Sequence, residues 1–202
     1  MKMAYLLIGL VIIGGVIFYF TSCKSKQSNS NTDNLQVKEK DSVKTQTSTD
    51  NPYNGLRELA LSATPKQVGI TASEHPDAIY GVIMDWDFGN GMATLVSFQD
   101  GTTSMYLSSG GGIIGGGGHD NVKNEVAKFI SLAQTYLDKA TKTDTTPLPD
   151  KGCVKFYLLT SKGKFVAQEK ISDIENETSK WFPFFEEGNK VITELRSTTE
   201  KK

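Results

Sequence analysis

Cysteine and histidine are scarce in this 202-residue chain, and neither sign of charge predominates. Its cysteines are Cys23 and Cys153 and its histidines His75 and His119. So few, so far apart, make neither a disulfide framework nor a zinc motif. With 22 basic and 23 acidic side chains the formal net charge is −1, so no basic field exists to hold nucleic acid. No serine sits in a G-x-S-x-G elbow, and no Lys-Ser or Lys-Thr closes a Walker loop. No cofactor is expected from these residues.

Charge is also missing from one long stretch. Lys2 is followed by an uncharged, mostly apolar run from Ala4 to Phe20, and then by Thr21, Ser22 and Cys23. A positive start, an apolar stretch and small residues describe an export signal rather than part of a core. The run resembles a bacterial lipoprotein signal, with Thr21 and Ser22 suiting the motif and Phe20 standing where Leu is usual. That resemblance implies acylation of Cys23, by palmitate or a similar chain, and removal of residues 1–22. Ala4 to Cys23 is also long enough, at about 20 residues, to span a bilayer uncleaved. Lys2 on one side and Lys24 and Lys26 on the other leave the orientation open. Either route attaches the protein to a membrane, through a lipid or a helix. The expected location is the cell envelope, with the remainder of the chain extracytoplasmic.

Residues 24–51 contain only Leu35, Val37 and Val43 as aliphatic side chains and no aromatic. Such a segment cannot bury enough apolar surface to offset the entropy of ordering, so a disordered polar tether is expected. As a flexible coil its ends would lie on the order of 30 Å apart. Residues 52–196 then have the length of one globular domain, with 197–202 as a tail.

Inside that domain, Leu56, Leu59 and Ala60 suggest a short helix, and Thr64-Pro65 a cap and first residue for another. Residues 79–84, 92–99 and 102–107 read as a three-stranded meander, with Asp100-Gly101 as a tight hairpin turn. Val122, Val126, Phe129, Ile130, Ala133 and Leu137 recur at helical spacing, with Tyr136 at the edge of the face and Asp120 or Asn121 as the cap. Residues 154–160 and 164–169 form a second hairpin about Ser161-Lys162-Gly163. A terminal helix from about Ser179 tolerates Pro183 in its first turn and carries Trp181, Phe184, Phe185, Gly188, Val191, Ile192 and Leu195 on one face. The expected fold is therefore α+β, an antiparallel sheet of about five strands with helices packed on it. In architecture alone this is similar to profilin-like and Roadblock-like modules. The stretch from Met84 to His119 resembles segments of small bacterial proteins of no assigned activity.

Two motifs invite chemistry. In SSGGGIIGGGGH, residues 108–119, glycines precede a helix, and backbone N–H groups freed of side chains can approach an anion. The same glycines equally let a strand edge pack close to neighbouring backbone. The turn Asp85-Trp86-Asp87-Phe88-Gly89-Asn90-Gly91 offers oxygen ligands. It fails the EF-hand pattern at Gly89, Asn90 and Val96, so a metal is not expected. A thiol nucleophile would need Cys153 beside His119, oriented by Asp85, Asp87 or Asp120.

Three functions follow as expectations. The first is a membrane-tethered module that binds a protein partner, an immunity-type lipoprotein included, with no catalytic residue. The second is a small-molecule or anion sensor using Gly115, Gly116, Gly117, Gly118, His119 and Asp120, with Asp85 and Asp87 brought to the same rim. The third is a hydrolase using His119 or Cys153.

Overall fold

The computed structural model describes residues 51–70 and 75–200; Cys23, the apolar run and the polar segment to residue 50 lie outside the described residues. Among the described residues no helix is long and apolar enough to cross a membrane.

Among the described residues one antiparallel sheet of seven strands organises the domain, in the order β4-β3-β2-β1-β6-β7-β5 with the ranges that follow. Strands β1 (Ile79–Asp87), β2 (Met92–Phe98) and β3 (Thr103–Leu107) form the meander, and β4 (Gly112–Ile114) extends it. Strands β6 (Cys153–Thr160) and β7 (Gly163–Lys170) form the second hairpin, and β5 (Thr141–Thr143) returns to lie outside β7. The halves meet where β1 pairs with β6, with Val82 opposite Leu158 and Trp86 opposite Val154. The α+β class is as expected, but the strand count rises from about five to seven. Both added strands have three residues, and β4 is buried in glycines that read locally as loop.

Helices cover one face. Helix α2 (Asp120–Gln134) and helix α4 (Phe182–Glu200) place Val122, Val126, Phe129, Phe184, Val191 and Leu195 against Val82, Met84, Leu95, Phe156 and Leu158. The α4 backbone approaches closely at Gly188, where an added Cβ would meet Met84 Sδ at 3.0 Å and Phe129 Cζ at 3.3 Å. Glycine at this position is thus a packing requirement. The terminal helix begins at Phe182 rather than Ser179 and continues through Glu200, so most of the expected tail is helix. Its start is prepared by the Ser179 hydroxyl, which accepts the Trp181 N–H at 3.0 Å. Helix α2 begins at Asp120 after an extended His119, and neither Asp120 nor Asn121 serves as its cap. Asn121 instead donates to Glu194 on α4 at 2.5 Å.

The opposite face is covered too, which a single-sided sheet does not require. Helix α1 (Tyr53–Leu61) lays Tyr53, Ala60 and Leu61 on Tyr80, Ile83, Val96, Phe98 and Leu159. A single 3-10 turn at Pro65–Val68 follows, with Gln67 Oε1 accepting from both the N–H and the hydroxyl of Thr64 at 2.8 Å. The loop from residue 144 to 152 completes this cover, and helix α3 (Ile171–Glu175) links β7 to α4.

Candidate functional site

Strand alternation places Asp85 and Asp87 on one face, as fully engaged groups. Asp85 is completely buried in the central strand β1, a position that a carboxylate tolerates only with strong partners. Arg57 of α1 supplies them, donating Nε at 2.9 Å and Nη2 at 2.6 Å to Asp85 Oδ2. Thr94 on β2 donates to Oδ1 at 2.5 Å and exchanges a hydrogen bond with the Tyr53 hydroxyl at 2.8 Å. Burial opposes the Arg57 charge, yet the Asp85 bonds more than compensate and hold its pKa above the ordinary value. Asp87 Oδ1 accepts the Gly89 N–H at 2.7 Å, and Oδ2 accepts the Gly152 N–H at 3.0 Å. The acidic turn is thus closed by its own chain. Among the described residues no cluster of His, Cys, Asp or Glu could hold a metal ion.

The single rim expected from Asp85, Asp87 and the glycine-rich segment is not formed. Pairing of Asp87 with Met92 and of Ala93 with Leu107 sets the acidic turn at one end of the sheet. Ser104 opposite Ile114 sends Gly115, Gly116, Gly117, Gly118, His119 and Asp120 to the other end, beside the Asp100-Gly101 hairpin. The register of the meander forces this separation, because β4 runs antiparallel to β3 and leaves the glycines beyond the start of that strand. Cys153 stands at the acidic end, opposite Lys170, so it cannot meet the exposed His119 as a nucleophile and base. Burial, then the Asp150 charge, push the Cys153 thiol up, which disfavours the reactive thiolate.

Gly116 and Gly117 are packed, whereas Gly115 and Gly118 face open space. A Cβ on Gly116 would collide with Leu195 Cδ1 and lie 2.7 Å from Thr103 Cγ2, and one on Gly117 would lie 3.0 Å from the Gly101 carbonyl. The space beside the Cα atom is therefore filled by the domain at these two positions, a packing reason for glycine there. Gly116→Ala should cost about 1–3 kcal/mol by overpacking, whereas Gly118→Ala, with open space around its Cβ, should be near neutral. Urea unfolding of both variants checks this. Equal effects would mean that the loop opens more readily than its packing implies.

A cleft of about 480 Å³ lies elsewhere, along the outer edge of β7. Strand β5 pairs only with Lys164, Phe165 and Val166, starting opposite Val166 and ending opposite Lys164, and the loop that follows it reaches Arg57 on the α1 face. Ala167, Gln168 and Glu169 remain uncovered on the β7 edge and line the cleft. Its walls are the 141–150 segment on one side and Lys139, Lys180 and Trp181 on the other. Gln168 fixes the loop, accepting the Asp150 N–H at 3.1 Å and donating to its carboxylate at 2.8 Å.

At the floor stands Lys155, 8 % exposed, the one charged residue of the buried strand β6. Its ammonium donates to the Leu148 carbonyl at 3.0 Å and to the Pro147 carbonyl at 3.4 Å, and no carboxylate pairs with it among the described residues. The Pro147 carbonyl is oversubscribed. It also receives the Tyr157 hydroxyl at 2.5 Å and Arg57 Nη2 at 3.5 Å, while Arg57 Nη1 takes the Thr146 carbonyl at 2.9 Å. Burial pushes the Tyr157 phenol up to about 12 despite the nearby Arg57 guanidinium, so it stays protonated and donates. Two cations, Arg57 and Lys155, thus share this buried cluster with one carboxylate, Asp85.

Nothing in the sequence reading pointed to this cleft, although one signal was present: a lysine within the strand Cys-Val-Lys-Phe-Tyr-Leu-Leu-Thr. No family model matches this chain, and no curated protein and no solved structure matches it either.

Proposed function

We propose that this protein is a membrane-tethered, extracytoplasmic lipoprotein that works as a binding module, taking a protein partner or ligand into the cleft along β7. The cleft carries the reading. It joins a strand edge without a partner strand, a buried cation and a mostly polar lining of threonines, lysines, Gln168, Asp150 and Glu169 in one concavity, which offers a ligand both main-chain and side-chain hydrogen-bonding groups. The attachment rests on the apolar run before Cys23 and on the polar segment that follows it.

Each half has its own test. Cys23→Ser should move the protein from the membrane to the soluble fraction, and intact mass of the wild type should show loss of residues 1–22 and added acyl chains. Retention of the variant in the membrane with residues 1–22 intact would favour an uncleaved helix. For recognition, Thr145→Trp places bulk on the exposed cleft rim. It should abolish partner capture by the full chain while melting temperature and membrane fractionation stay unchanged. Capture at wild-type level by this variant would remove the cleft from the reading.

A further inference from the structure

We propose that the cleft recognises an oxyanion, the carboxylate or phosphate group of its ligand, on the ammonium of Lys155; this rests on the cleft being the binding site. Lys155 keeps a donor in reserve and a charge without a countercharge among the described residues. An ammonium offers three donors, and Lys155 has protein partners for two, both neutral carbonyls. The Pro147 carbonyl, with two lone pairs, faces donors from Lys155, Tyr157 and Arg57, and the Lys155 bond at 3.4 Å is long beside that of Tyr157. Burying a charge is costly unless it is paired, and the paired guanidinium of Arg57 leaves nothing over for Lys155, because Asp85 is spent on Arg57 and Thr94. An oxyanion would supply both the missing acceptor and the missing charge, in a charge-assisted hydrogen bond stronger than the carbonyl contacts it supplements.

The other charges of the cleft fit this assignment. Lys139 and Lys180 add two exposed cations to its wall. The two carboxylates in the lining have neutral donors of their own: Asp150 takes the Gln168 amide at 2.8 Å, and Glu169 takes the Ser179 hydroxyl at 2.7 Å. Three lysines against two acids leave the lining net positive, with the most buried of the lysines at the floor.

The test is calorimetric titration of the full chain in detergent micelles with three probes: inorganic phosphate, N-acetylglycine and the uncharged N-acetylglycinamide. At least one of the two anions should bind and the neutral amide should not, the preferred anion revealing whether the ligand group is a phosphate or a carboxylate. Lys155→Met should weaken that binding at least tenfold. Because this variant leaves the Leu148 carbonyl without its donor and can unfold, the double variant Lys139→Gln/Lys180→Gln is measured beside it. It changes only exposed side chains and should weaken binding severalfold, with the loss growing as salt is lowered. Binding of the neutral amide as tight as that of the anions, or anion binding unchanged in both variants, overturns the assignment. If neither anion binds at up to 10 mM on an order-of-magnitude scale of weak fragment affinity, the oxyanion assignment fails. The binding-module reading still stands if Thr145→Trp abolishes partner capture, so the two failures are told apart.

Discussion

Arg57→Ala is expected to destabilise the domain by about 3–5 kcal/mol, because it leaves the Asp85 carboxylate buried without its countercharge. Asp85 is fully buried and Arg57 is 6 % exposed, so water cannot replace the lost partner without opening α1 from the sheet. The same guanidinium holds the Thr146 carbonyl at 2.9 Å, so the loop that walls the cleft loses a tie as well. Chemical denaturation measures the loss, and the double variant Arg57→Met/Asp85→Leu supplies the control. Replacing both charges by apolar groups should recover most of the stability, since breaking a buried pair costs far more than omitting it. A loss below about 1 kcal/mol for Arg57→Ala would show that the pair is screened as an exposed one is.

Trp181→Ala should cost a similar amount, about 3–5 kcal/mol, for a different reason. The indole is 1 % exposed and sits at the centre of an aromatic cluster. It stacks on Phe156 with centroids 5.1 Å apart and planes at 11°, tilts against Tyr136 at 4.8 Å, and meets Phe184 edge-on at 5.6 Å. Truncation leaves a void that three rings, each held by its own neighbours, cannot collapse to fill. Trp181→Phe should restore a large part of the loss. Because Trp181 also walls the cleft, any ligand affinity should fall in the alanine variant even under conditions where the domain stays folded. A destabilisation under about 1.5 kcal/mol would mean that the cluster repacks.

The long elements are legible in the sequence because their local signals agree with their environment. Helix α2 keeps its apolar face at three- and four-residue spacing, and the strands of both hairpins alternate or run apolar between turn residues. What escapes is whatever depends on distant partners. Strand β1 reads as ending at Met84, since an aspartate next in line looks like the start of a turn; it continues through Asp87 because Arg57, 28 positions earlier, neutralises Asp85. Helix α1 reads as a short helix on Leu56, Leu59 and Ala60, yet Leu59 is exposed and the anchors are Tyr53, Leu61 and the Arg57 ion pair, whose partner is distant in sequence. The glycine-rich segment reads both as a cradle and as a packing device, because glycine count says nothing about whether neighbours have already filled the space, as Leu195 and Thr103 do at Gly116. The cleft is invisible locally, being made where β5 begins opposite Val166 and leaves Ala167, Gln168 and Glu169 of the β7 edge without a partner strand.

The central pairing of β1 with β6 joins segments separated by about 70–80 residues, and it sets the order in which the protein can become soluble. Until β6 emerges, the run Ile79-Tyr80-Gly81-Val82-Ile83-Met84 presents a long apolar strand edge with β2 on one side and nothing on the other. A chain halted at that point is an aggregation template rather than a half-built domain. Truncation before Cys153 is therefore expected to yield insoluble protein rather than a smaller fold, because β1 is left without β6 along that edge.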